Sequence, residues 1–375
     1  MSSKVFVNPN KSAVKSLPPR NPNVQAFHAS LPHYKQTPLV SLSAIARELG
    51  IGHLLLKDES SRLGLPAFKI LGASWATSRA IIKKLHLILD DVEPGERLQT
   101  LALAAQAADL TLYAATDGNH GRAVARMAKY LGVKARIFVP RMLDKEAKSN
   151  IESEGAVIEV FDGDYDQTVL ATKLAAEKHE DGKCHLISDV ALEIGDEIPG
   201  WIVDGYQTMF DEIDEQVSDV TGRHAITHVV TPVGVGSLAQ AVVTNFRRLP
   251  GSGETQIITV EPTTAACLKT SLEAGEMISV NAAYTICTGM CCGTVSVDAW
   301  PLLKAGVNIS VTVDDEEVHK AVLELQTYDV WAGPCGAASL AGLRHLIKTG
   351  FLAARPDAVI VILCTEGKRS YWMTS

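Results

Sequence analysis

Short runs of β-branched and aliphatic residues alternate with stretches of helical periodicity along almost the whole chain, and this alternation restricts the fold more than any other feature. The runs at 53–57, 111–115, 135–139, 157–161, 185–188, 228–232, 256–261 and 358–363 read as strands. The stretches 70–85, 121–131, 165–178, 238–247, 316–326 and 337–347 read as helices. Strands separated by helices pair in parallel, because the helix supplies the crossover that returns the chain to the same edge. The expectation is an α/β protein with parallel sheets covered by helices on both faces. Ligands in such folds gather at the carboxyl ends of strands. That directs attention to 117–121, 234–238 and 364–367, each of which directly follows a strand. Lys69 instead opens a helix, after a loop with Gly64 and Pro66. There is no internal repeat, low-complexity segment or clear linker, so any domain division is expected to be an insertion.

At 375 residues the chain is longer than a usual single domain, which predicts one large or two closely joined domains. Hydrophobic residues at 46% and charged residues at 21% fit a globular protein. A net charge of −8 leaves no basic surplus to displace counterions from a nucleic-acid backbone. Small molecules are therefore the expected partners, and nucleic acid is not. No apolar run reaches the roughly 18–20 residues that span a bilayer, and no apolar secretory core stands near the start, so a soluble cytoplasmic protein is expected. Residues 1–47 lack acids but carry Lys4, Lys11, Lys15 and Arg20, a faint transit-peptide signal. Pro9, Pro18, Pro19 and Pro22 oppose it by breaking any amphipathic helix there. Seven cysteines without regular spacing fit a reducing compartment, and the neighbouring Cys291 and Cys292 have no metal-binding partner motif. No metal is expected.

Three motifs carry chemistry. In Gly234-Val235-Gly236-Ser237-Leu238, which leads from a strand into a helix, backbone N–H groups and the helix dipole can hold a phosphate. The full dinucleotide fingerprint is missing, because its third glycine falls on Ala239. Lys69 sits at a helix start, where the dipole disfavours a cation; that suits a lysine that must shed its proton to form an imine. In Thr116-Asp117-Gly118-Asn119-His120-Gly121, two glycines permit close approach and the N–H groups would form a nest for a carboxylate.

The order F-K-x-L-G, D-G-N-H-G, G-V-G-S-L, C-T-E-G resembles the fold-type II pyridoxal-5′-phosphate (PLP) enzymes, the tryptophan synthase β-like group, and within it the diaminopropionate ammonia-lyases. The likeness runs from Val5-Phe6-Val7-Asn8-Pro9 to the C-terminus. It implies two parallel-sheet α/β domains: a large PLP-binding one from 1–105 and 190–375, and a small mobile one from 106–189. It implies that Lys69 holds the cofactor as a Schiff base and moves protons at Cα, flanked by Phe68. Asn119 would bond the ring's 3′-oxygen, Gly234, Val235, Gly236, Ser237 and Leu238 would cradle the phosphate, and Cys364 or Thr365 would face the ring nitrogen. The backbone of Asp117, Gly118, Asn119, His120 and Gly121 would hold the substrate carboxylate. A neutral thiol or hydroxyl at the ring nitrogen weakens the electron sink, which favours prompt loss of a β-substituent over transamination.

Asp117 stands where the similar serine and threonine dehydratases carry serine, and Asp189 matches the other acidic position of the lyases. Two acids suit a diamino substrate, with Lys69 as base on one enantiomer and Asp117 on the other. The expected reaction is elimination of ammonia from 2,3-diaminopropionate to give pyruvate, by a homodimer. The segment after Asp189 departs from the family's D-T-A-W-E-G-Y, reading Val190, Leu192, Ile194 and Gly195. That departure keeps open a serine or threonine dehydratase, a β-replacement enzyme or a racemase, and from another class a catalytically silent PLP-binding protein. Asp162-Gly163-Asp164-Tyr165-Asp166 reads as a helix N-cap rather than a calcium loop, Cys335 as a buried structural thiol, and His120 as a partner of the Asp117 turn.

Overall fold

The computed structural model describes residues 3–12, 14, 17, 19–89, 92–179, 182–222, 226–248 and 255–373. Lys15 and Pro18, which entered the transit-peptide argument, lie outside them. The strands are β1 (Val5–Val7), β2 (Leu39–Ser41), β3 (His53–Asp58), β4 (Thr111–Ala115), β5 (Lys134–Pro140), β6 (Val157–Phe161), β7 (Cys184–Leu186), β8 (His228–Pro232), β9 (Gln256–Pro262), β10 (Ile309–Val313) and β11 (Val359–Cys364). The chain forms two compact units, one of Met1–Arg20, Gln36–Ser61 and Met209–Ser375, the other of Asn21–Lys35 and Arg62–Thr208. The segment 106–189, expected as a domain by itself, lies within the second unit.

The first unit holds a seven-stranded sheet in the order β1-β10-β9-β8-β11-β3-β2. Its five inner strands are parallel, as the alternation predicts, whereas the edge strands β1 and β2 pair antiparallel with β10 and β3. Every residue of β8, β10 and β11 is buried, which explains their largely apolar and β-branched runs, broken only by His228 and Ser310. The helix Pro334–Lys348 packs across this sheet, and Leu340 and Leu343 join Ile258, Val260, Val311 and Ile360 in the core. Because β9, β8 and β11 are parallel neighbours, the segments after each of them open at the same edge of the sheet. At that edge stand Glu261 near the end of β9, the 234–238 turn after β8 and Cys364 as the last residue of β11.

The second unit is built on a wholly parallel sheet, β6-β5-β4-β7. The β4–β7 pairing sets the turn after β4, with Asp117, beside the segment after β7, with Asp189. The helix Lys69–Lys84 is buried from Ile70 to Ser78 on all sides. It packs against the helices Glu197–Gly205 and Asn119–Leu131. No helix among the described residues is long and apolar enough to cross a membrane.

Candidate active site

Lys69 is the first residue of its helix, and the preceding Phe68 offers no side-chain cap. Its amine lies 2.5 Å from Oδ2 of Asp189, a residue only 3% exposed. The other oxygen of that carboxylate accepts the Tyr165 hydroxyl at 3.2 Å, and Nδ1 of His120 stands 4.0 Å from Oδ2. The helix dipole works against a cation at Lys69, and Asp189 supplies the countercharge. Burial opposes ionisation of Asp189, but the charges of His120 and Lys69 and the hydrogen bonds from Lys69 and Tyr165 outweigh it, holding the carboxyl well below the usual range.

His120 is driven by burial towards its neutral form, an effect that Asp189 offsets in part and Lys69 reinforces. Its Nε2–H donates to the Ile187 carbonyl at 2.8 Å, which fixes the tautomer because a carbonyl only accepts. Nδ1 is therefore a lone pair, buried and without a hydrogen-bond partner. Once His120 has given up its proton, Lys69 remains as the cation that faces Asp189. The His120 ring thus serves the strand-end carbonyl after β7 and faces Asp189, rather than the Asp117 turn as the sequence led us to expect.

The turn after β4 differs from the expected nest in a second way. Thr116 Oγ1 accepts the N–H groups of both Gly118 and Gly121 at 2.9 Å, so two of the five donors assigned to a carboxylate are already bonded inside the turn. Asp117 and Asn119 are half-buried, and Asn119 opens the helix Asn119–Leu131. Asp164 caps the helix Tyr165–Glu177 through a capping box with Gln167, as read from the sequence, and that cap places Tyr165 at the helix start. Thr116 and Tyr165 stood within motifs read from the sequence but were given no role at the site, and Tyr206 was not named. Tyr206 is fully buried, its ring centre 4.8 Å from that of Phe68.

In the first unit the turn after β8 enters the helix Ser237–Arg247 through Gly236, at φ 99°, and no side chain caps the helix. The N–H groups of its first turn are thus presented to an anion by backbone alone. Gly234 is held close to its surroundings: a Cβ there would come within 2.9 Å of the Gly289 carbonyl oxygen. Val235, Ser237 and Leu238 are buried. The turn is fixed from two sides, by the Ser296 N–H donating to the Val235 carbonyl at 2.8 Å and by the Cys267 thiol donating to the Gly234 carbonyl at 3.7 Å.

Cys364 ends β11, fully buried, and its thiol donates to the Glu366 carbonyl at 3.6 Å. Burial pushes its ionisation well up, with the charges of Asp58 and Glu366 adding to the effect, so it stays a neutral thiol. Thr365 is also buried. Cys335 is buried at the start of the helix Pro334–Lys348, and its N–H donates to the Glu366 carboxylate at 3.0 Å, which makes its setting structural.

The donor sets fit a phosphorylated aldehyde cofactor. The second unit offers a lysine amine at an uncapped helix start, and the first a glycine turn whose backbone can hold a phosphate. The comparisons with known proteins agree. The family model described as pyridoxal-phosphate dependent enzyme matches residues 30–366. A diaminopropionate ammonia-lyase of Salmonella typhimurium is 36% identical over 296 residues, 78% of this chain and 72% of that protein. The Escherichia coli K12 lyase is 32% identical over 354 residues, 91% of this chain and 86% of its own length. The E. coli lyase solved in complex with D-serine superposes with a TM-score of 0.84 at 29% identity, covering 97% of this chain and 93% of that one. A lysine at a helix start, a glycine turn into an uncapped helix and a match along nearly the entire chain lead to one conclusion: this chain belongs to the pyridoxal-phosphate-dependent enzymes.

Proposed function

We propose that the chain catalyses α,β-elimination of ammonia from 2,3-diaminopropionate, the overall reaction consuming one water and yielding pyruvate and two ammonia. The observation that carries this reading is the ionised, buried Asp189 against the Lys69 amine. When Lys69 is committed to the cofactor it no longer supplies an ammonium, and a buried carboxylate without a cation is strongly disfavoured. A substrate with a second amine restores the missing positive charge, whereas a hydroxy amino acid does not. The 32–36% identity to diaminopropionate ammonia-lyases supports the same substrate.

Pyridoxal phosphate, when bound, supplies a conjugated ring that withdraws electrons from the substrate's Cα and so eases loss of its proton. Lys69 holds the cofactor and afterwards moves the Cα proton of one enantiomer; Asp117 takes that of the other. Asp189 orients the second amine and is itself oriented by Tyr165. Phe68 flanks the lysine, Asn119 bonds the ring oxygen, and the backbone of 234–238 holds the phosphate. Cys364 or Thr365 faces the ring nitrogen as a neutral partner. The backbone of residues 117–121 binds the substrate carboxylate, with Gly118 and Gly121 also shaping the turn. A homodimer in the cytoplasm belongs to the same proposal and rests on the resemblance.

One observation favours a second reading, a dehydratase of serine or threonine. In place of the family's two aromatic residues after Asp189 the chain has Leu192, 40% exposed, and Gly195, which has no side chain, so the second unit is less enclosed there. Purified protein loaded with pyridoxal phosphate is offered L- and D-2,3-diaminopropionate, L- and D-serine and L-threonine. Preference for a diaminopropionate with two ammonia per pyruvate is expected. Preference for a hydroxy amino acid with one ammonia per keto acid would establish the dehydratase.

A further inference from the structure

Among the described residues, six buried side-chain polar atoms have no hydrogen-bond partner, and Tyr206 Oη is one of them. Such a group calls for an explanation, because folding strips its water and gives nothing back. Its position offers one. Tyr206 follows the helix Glu197–Gly205, and its ring is tilted by 48° against Phe68. Its Cε1 edge covers Gly72 so closely that an added Cβ there would approach it to 2.8 Å. Phe68 precedes Lys69 and Gly72 lies one turn beyond it, so the tyrosine ring spans the backbone on both sides of the lysine. The lysine amine stands 5.6 Å from the Phe68 ring centre, and the charges of Lys69 and Asp189 both act on the Tyr206 hydroxyl.

We propose that Lys69 has two hydrogen-bond stations, the Asp189 carboxylate for its ammonium and the Tyr206 hydroxyl for its neutral amine, so that Tyr206 positions the amine in its nucleophilic form. The chemistry of each group selects its partner. An ionised carboxylate only accepts, so it takes the ammonium. Burial pushes the Tyr206 phenol's ionisation well up, so it keeps its proton and donates it. The one acceptor a lysine can offer is the lone pair of the neutral amine. The other groups around Asp189 do not substitute for this donor. Neutral His120 offers only a lone pair at Nδ1, and the Tyr165 hydroxyl donates to Asp189. Tyr206 is thus a positioning residue acting through Lys69.

The inference rests on Lys69 being the cofactor lysine, and the test separates the two. Tyr206→Phe keeps the ring and removes only the hydroxyl. Uptake of pyridoxal phosphate by the cofactor-free protein is followed by absorbance as a function of pH, with the thermal midpoint measured alongside. Tyr206→Phe should melt at or above the wild-type temperature, take up cofactor up to about tenfold more slowly at neutral pH, and move the uptake profile to higher pH. Asp189→Asn, which removes the station of the ammonium, should move it to lower pH. A Tyr206→Phe profile that matches wild type overturns the inference while leaving Lys69 assigned. So does a lowered melting temperature with unchanged uptake, because that is the mark of a packing role. A wild-type chain that takes up no cofactor overturns both.

Discussion

Asp189 is buried, ionised and bonded to an amine that the proposed chemistry requires to change partners, so the character of the site is set at this single residue. Asp189→Asn keeps the shape and removes the charge. We predict that kcat/KM on diaminopropionate falls by about 100-fold or more, the loss typical of one partner of a buried ion pair, with a smaller loss on serine. Steady-state kinetics on the two substrates checks this, and an equal loss on both would mean that the carboxylate does not recognise the second amine. The pairing of Lys69 with Asp189 joins two residues that the sequence had singled out from ordered motifs. Tyr165 and Tyr206 were not legible as site residues, since each reaches the site from a helix end whose direction only packing determines. Thr116 was visible beside Asp117, but its hydroxyl bonding to Gly118 and Gly121 is a local turn that competes for donors the motif alone made available.

At the scale of elements, the strands 111–115, 157–161 and 228–232 were read with their observed bounds, because β-branched runs between turn signals are local information. β1 and β2 are three residues each and too short to show alternation, and their antiparallel pairing is a tertiary choice. β9 and the helix Cys267–Ala274 that follows it carry a further prediction. Glu261 is fully buried and accepts the N–H groups of Leu268 and Lys269, each at 2.7 Å, as the cap of that helix. Burial pushes its carboxyl up to about 7 even though those bonds pull the other way. Its folded value lies above that of an unfolded carboxyl, so the folded state binds the proton more tightly. Stability should therefore be greatest below about pH 4.5 as far as this group is concerned, and fall as pH rises to about 7. Glu261→Gln should flatten that decline and cost about 1–3 kcal/mol near pH 5, because its amide turns a donor towards a backbone donor. Thermal melts across this pH range check both effects. A decline as steep in the variant as in the wild type would assign it to other groups.

For the whole molecule, the alternation of strands and helices predicted parallel sheets, the order of the motifs predicted the family, and the resemblance to that family implied two parallel-sheet domains. Where the chain divides was less legible, because Asn21–Lys35 and the helix Lys69–Lys84 join the second unit through buried faces that no linker announces. The first unit is likewise assembled from distant segments. The fully buried Lys57 amine on β3 bonds the Glu212 carboxylate at 2.7 Å, the Thr37 carbonyl at 2.8 Å and Gln216 at 2.9 Å. A lysine in an apolar strand gives no hint of a carboxylate 155 positions away.

Every role proposed for the site depends on which amine holds the cofactor. The most direct measurement is borohydride reduction of the protein loaded with pyridoxal phosphate, followed by proteolysis and mass mapping of the pyridoxyl group. One modified residue, Lys69, is expected, with the label lost in Lys69→Ala. A label on any other lysine, or one that persists in that variant, would contradict the assignment of Lys69.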